Sequence, residues 1–183
     1  MKCLSFWQNV STKRKRVYST LLVLLVTILA MAIGSFTPLG QSEAQFRSDA
    51  LNQTINESIA SNTLTERIFF NNFFITLLMF IPLVGAGLGL FIIYNTGVTL
   101  SALSTIHGYP AYLGILELMA TPVFWLEFVA YSIAMAGSIW LFRRILQQRL
   151  SELKWTALSI GISALLLIIG AFVEVWLINA ASL

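Results

Sequence analysis

Hydrophobic positions in this chain come in long unbroken runs, not in alternation. One run covers residues 17–36, a second starts at Ile68 and continues with few interruptions to Phe142, and a third covers 155–178. Across 68–142 the only formal charges are Glu117 and Glu127. A helix needs about 20 consecutive apolar residues to cross a bilayer, whereas barrel strands would alternate. Only helices and closed barrels satisfy their backbone inside lipid. The pattern therefore predicts an all-α, polytopic membrane protein.

Polar blocks set the order of crossings. Residues 1–16 form a basic arm ending in Lys13, Arg14, Lys15 and Arg16. Residues 37–67 are polar and poor in base, with Glu43, Asp49, Glu57 and Glu66 against Arg47 and Arg67. Residues 143–154 carry Arg143, Arg144, Arg149 and Lys154. Basic segments favour the cytoplasmic side, so 1–16 and 143–154 are expected inside and 37–67 outside. The number of crossings between 67 and 143 must then be odd. One helix over 68–106 would be about 58 Å long at 1.5 Å per residue, too long for a single crossing.

The pattern divides that stretch into a helix over 68–88 kinked at Pro82, a tight glycine turn near 87–89, a helix over 90–107, an outward hairpin over 107–121 and a helix over 122–142. His107-Gly108-Tyr109-Pro110 opens the hairpin as a turn signal, a short interfacial helix follows, and Pro122 suits the first helical turn of the next span. A broken or re-entrant helix at Asn95-Thr96-Gly97 is the alternative, tolerated where protein or water covers the backbone. The total is about five transmembrane helices with the N terminus cytoplasmic: a first helix over 17–36, then a four-helix membrane core within 68–178.

Smaller signals refine this. Phe46, Ala50, Leu51, Ile55 and Ile59 recur at near-helical spacing, so part of the polar loop is expected as an amphipathic helix. Asn52 and Asn56 head N-glycosylation sequons, in keeping with an outside loop. Gly85 with Gly89, Ala130 with Ala134 and Ser138, and Ala157 with Gly161 have the spacing that lets membrane helices approach closely. The basic start, apolar core and Ala30-Met31-Ala32 also suit a signal peptide, but the run exceeds the usual length of that core.

Composition agrees: 57% of residues are hydrophobic and 10% charged, against about 25% charged in soluble domains. The net charge of +3 does not indicate nucleic acid, because nine of the eleven Lys and Arg flank apolar helices. Phe6 and Trp7 suit the membrane surface, and the lone Cys3 excludes an intrachain disulfide and leaves a juxtamembrane thiol as a palmitoylation candidate.

Ionisable or strongly polar side chains inside a membrane are costly, which makes them functional candidates. Asn71 and Asn72 lie about one turn below the outer end of the second helix, Glu127 five residues below Pro122, and Glu174 four or five residues from the outer end of the last helix. At 1.5 Å per residue they share a layer roughly 5–8 Å under the outer interface. They are the candidate polar network; the alternative is that Glu174 reaches the interface and the asparagines cap a helix end. Asn95, Gly97, His107, Glu117 and Pro122 are secondary candidates. Replacing Glu127 by Gln is expected to be milder than replacing it by Leu.

Enzyme chemistry finds little footing. One histidine excludes the HExxH zinc site, one aspartate excludes an intramembrane aspartyl dyad, and GxSxG and Walker motifs are missing. Glu117 and Glu127 could act as an acid–base pair, yet no positioned nucleophile or metal set accompanies them. No catalytic residue, cofactor or metal is expected.

At Asn71-Asn72, at Asn95-Thr96-Gly97, from Thr121 and Pro122 to Glu127, and at Glu174, the chain resembles the stage II sporulation protein M family. That family pairs two asparagines at the opening of a transmembrane helix, then has an NG-type turn, a P-H-G-x-x-E-like segment and a Glu near the end of its last helix. The resemblance covers about residues 65–178. Val123-Phe124 stand where the family often has His-Gly, so a role for that histidine is missing here or moved to His107. The resemblance implies a non-enzymatic scaffold or assembly subunit of a cell-envelope membrane complex, with a protein partner or a second copy in the bilayer. The interrupted, glycine-rich helices and Glu127 point instead to a transporter, channel or permease subunit with a polar site near the outer face.

Overall fold

Long apolar segments with few helix breakers fold as helices here, and the breaks fall where proline or a run of polar residues stops them. The computed structural model describes residues 11–61, 63–148 and 152–181. The features read at Lys2, Cys3, Phe6, Trp7 and Arg149 lie outside the described residues. Among the described residues there are seven helices and no strand: α1 (Thr12–Ser35), α2 (Gln41–Ala60), α3 (Leu64–Met79), α4 (Val84–His107), α5 (Ala111–Ala120), α6 (Pro122–Leu146) and α7 (Glu152–Ala181). Four of them, α1, α4, α6 and α7, are long and apolar enough to cross a membrane. The chain is an all-α polytopic membrane protein.

Several boundaries differ from those read in the sequence. The helix expected over 68–88 runs over Leu64–Met79 instead, and the break falls at Phe80–Leu83, not at the glycines of 87–89. Pro82 terminates α3 instead of kinking it, since proline clashes with a preceding helical turn. Leu83 takes a left-handed φ of 68° to start α4, a conformation most side chains avoid. Gly87 and Gly89 sit inside α4, which runs unbroken through Asn95-Thr96-Gly97. The side chains of Asn95, Thr96 and Thr99 bond back to carbonyls four residues earlier, so that segment is helix, not turn. With 16 residues, α3 spans about 24 Å, short of the ~30 Å hydrocarbon core.

The basic segments are largely helical too. Lys13–Arg16 form the first turn of α1, and Arg143 and Arg144 the last turn of α6. The expected helix forms as α2, and its apolar stripe is covered only in part, at Leu51 and Ile55. Phe46 is 74% and Ile59 52% exposed, while Ala44, Ser48 and Ser58 are buried. Small residues let α2 lie close on α4, its main partner.

Tight crossings hold the bundle. A side chain at Gly97 would strike the Met31 carbonyl and the backbone of Gly34 and Ser35, and one at Gly34 would strike Tyr94. The Tyr94 hydroxyl and Thr37 Oγ1 are 2.9 Å apart, and Ser101 Oγ donates to the Thr37 carbonyl at 2.7 Å. Thus α1 and α4 cross backbone to backbone near the C-terminal end of α1. Ala130, Ala134 and Ser138 are all fully buried and face the core as their spacing suggested. Gly161 meets nothing within 4 Å, so the Ala157–Gly161 pair faces away from the described fold.

At the other end, Trp140 Nε1 donates to Ser19 Oγ at 2.8 Å, and the Arg16 guanidinium stands 5.1 Å from the Trp140 ring and 5.5 Å from that of Trp155. This is an aromatic and basic belt of the kind found at a membrane interface.

Candidate functional site

The site is built on Glu127, one and a half turns into α6. Thr121 Oγ1 accepts from the Phe124 N–H at 3.3 Å and caps α6, with Pro122 in its first turn. That start fixes which face carries position 127. Across from it, Asn72 of α3 donates from Nδ2 to Glu127 Oε1 at 2.5 Å. Asn71, its neighbour, is exposed and reaches only Asn72 Oδ1 at 3.3 Å. Neither asparagine caps a helix; both lie inside α3.

Glu174 comes from α7. Gly170, one turn earlier on the same face, places a missing Cβ 3.8 Å from Leu126 and 4.0 Å from Glu127. Gly170 thus packs α7 against α6 beside Glu127, on the helix face that carries Glu174. Ser163 Oγ donates to the Ala130 carbonyl at 3.3 Å and holds the same pair of helices further in.

Asn71, Asn72, Glu127 and Glu174 line one cavity of about 380 Å³ between α3, α4, α6 and α7. Its inner wall is apolar and aromatic, with Ile75, Ile93, Phe124 and Phe128. The Phe124 and Phe128 rings stack at 4.1 Å, and Tyr131 follows at 6.2 Å from Phe128. An adjoining space of about 510 Å³ shares the four polar residues and continues between α2, α3 and α7 to Thr54, Ser58 and Arg67. Arg67 Nη1 is 3.7 Å from Glu57 Oε2, a pair that ties α3 to α2. The cavity thus leads from Glu127 toward the polar helix α2.

The secondary candidates fall elsewhere. Asn95 bonds to Phe91 O on its own helix, and Gly97 serves the α1–α4 crossing. His107 is exposed and stacks on Tyr109 with 6.2 Å between ring centres. Glu117 and Pro122 are exposed and do not line the cavity. A histidine at 107 therefore does not stand in for the one missing at 123–124; the cavity wall there is Val123 and Phe124.

Sequence reasoning missed Tyr131, Thr96 and Arg67. Tyr131 follows Glu127 by one helical turn and Arg67 precedes Asn71 by one, so helical spacing was the available signal. Thr96 sat unregarded beside Asn95.

The arrangement offers two carboxyl groups, an amide and hydroxyls around a chamber. Among the described residues no group of three His, Cys, Asp or Glu is placed to hold a metal ion. No family model matches this chain, and neither a curated protein nor a solved structure matches it.

Proposed function

We propose that this is a non-enzymatic membrane protein that takes up a small polar solute at its outer face, as a transporter or permease subunit. The observation that carries the reading is the cavity itself: Glu127, Glu174 and Asn72 from three helices converge at one end of an apolar chamber. Small-molecule sites have this character, a mostly apolar wall with a few convergent polar groups. Carboxyl groups inside a membrane commonly mark such pathways.

A cysteine at Thr96, which lines both parts of the cavity, tests it once Cys3 is replaced by serine. In sealed proteoliposomes or cells, a small water-soluble thiol reagent added outside is expected to label Thr96→Cys. Slower labelling from the inner side is expected as well if the protein alternates between outward-open and inward-open forms. Absence of labelling from outside refutes the reading.

The assembly role implied by the stage II sporulation protein M resemblance is the second reading. What favours it is that four of the residues behind the resemblance, Asn71, Asn72, Glu127 and Glu174, line one cavity, although Asn95, Gly97 and Pro122 do not. Capture in mild detergent is expected to bring down an envelope partner or a second copy; a protein that runs only as a monomer overturns this reading.

A further inference from the structure

Resting on the solute-site reading, we infer that the cavity takes a primary ammonium group carried on an apolar body. Size is the first argument. A water molecule claims about 30 Å³ of liquid, so a bare ion would leave most of a 380 Å³ chamber to water. Small organic ligands occupy sites from about 300 Å³ upward. With no three-residue metal-binding group among the described residues, an organic ligand fits better than a metal ion.

Charge and unmet hydrogen bonding are the second argument. Tyr131 is only 8% exposed and lines the cavity beside both carboxyl groups, yet its hydroxyl makes no hydrogen bond among the described residues. Glu174 makes none there either, and Glu127 uses one oxygen, toward Asn72. Among the described residues Glu127 and Glu174 thus keep open acceptor positions toward the cavity, and the Tyr131 hydroxyl, both donor and acceptor, is open to a ligand there. An alkylammonium has three N–H donors. It would place one each on Glu127, Glu174 and the Tyr131 oxygen.

The walls are the third argument. Phe124, Phe128 and Tyr131 form a continuous aromatic series, and cations are drawn to aromatic faces. Among the described residues, the only cationic side chain lining either part of the cavity is Arg67, at the far end of the outer part, where Glu57 faces it. An anionic ligand would meet two carboxyl groups with no such partner beside them. The same ammonium chemistry is offered by a free amine and by the ethanolamine headgroup of an outer-leaflet lipid.

The Cys3→Ser, Thr96→Cys protein in phosphatidylcholine vesicles provides the test. A cationic trimethylammonium thiosulfonate is expected to label it about tenfold faster than an anionic sulfonate one, relative to a free thiol, as a cleft of one charge sign concentrates its counter-ion. Phenylethylammonium is expected to protect the cysteine and phenylethanol not to. In Glu127→Gln with Glu174→Gln the rate ratio should return to that of the free thiol, and Tyr131→Phe, which keeps the ring, should weaken protection severalfold. Repeating the assay with phosphatidylethanolamine in the vesicles separates the sources: protection without added amine identifies the lipid headgroup. Equal rates for the two reagents, or equal protection by phenylethanol, overturn the ammonium inference while leaving an outer-face site. No labelling by either reagent overturns the site reading itself.

Discussion

Glu127 is the residue on which local geometry concentrates. Its Oε1 accepts from Asn72 Nδ2, and it shares its cavity with Glu174 and with the apolar and aromatic side chains of Ile75, Ile93, Phe124 and Phe128. Glu127→Gln retains an oxygen for that amide, whereas Glu127→Leu leaves Asn72 without its acceptor, a loss of about 1–3 kcal/mol. In thermal unfolding of detergent-solubilised protein, the Leu variant is expected to melt several degrees below the Gln variant, at about 2–4 °C per kcal/mol for a chain of this size. Equal melting temperatures would mean that the Asn72–Glu127 bond contributes nothing to the fold. Much of this site could be read from the chain, because depth in a membrane helix follows from counting at a fixed rise per residue. Depth does not reveal azimuth. Asn95 and Thr96 are at the same level and both bond back along their own helix, and only the fold shows that Thr96 lines the cavity while Asn95 does not.

At the scale of elements, glycine has two meanings that spacing cannot separate. In water a glycine cluster between apolar runs marks a turn; in lipid, small residues more often let two backbones touch. That is why the break expected at 87–89 falls instead at Phe80–Leu83, with Pro82 at its centre. Substitution distinguishes the two meanings. Gly97→Ala and Gly34→Ala push a methyl into the backbone of the facing helix and are expected to lower stability by about 1–3 kcal/mol, the usual cost of overpacking. Gly87→Ala and Gly161→Ala meet open space and should be neutral or stabilising, since alanine exceeds glycine in helix propensity by about 1 kcal/mol. Melting curves of the four variants check this; a uniform response would place the α1–α4 contact elsewhere. The expected stripe of α2 is used only in part for a related reason: Leu51 and Ile55 line the cavity, but the buried positions are Ala44, Ser48 and Ser58, small residues that hydrophobicity alone does not single out.

For the whole molecule, the α3–α4 hairpin raises a question of depth. Its tip, Phe80 to Val84, contains no charged residue, and Leu83 is 60% and Val84 54% exposed. The tip is fixed against α6, where Ser138 Oγ donates to the Ile81 carbonyl at 2.6 Å and the Phe80 ring lies against Gly137. Arg143 is five residues further along α6, or about 7.5 Å toward the basic belt. Exposed leucine and valine at that level are in place if lipid covers them, and out of place in water. The short α3 has a physical reason if the hairpin turns within the leaflet beside the basic belt, where it does not need the length of a full crossing. Parity is unaffected, because α3 descends and α4 returns to the same side, so the connection at 147–151 stays opposite α2. Single cysteines in the Cys3→Ser background decide the depth. With a membrane-impermeant maleimide, Gln147→Cys is expected to react only from the side bearing the basic belt, Asn52→Cys on α2 only from the other side, and Leu83→Cys from neither. Labelling of Leu83→Cys as fast as Gln147→Cys would put the tip in water and make α3 a complete crossing. A protected Leu83→Cys would instead leave one leaflet spanned there by a hairpin, with the polar cavity in the opposite leaflet.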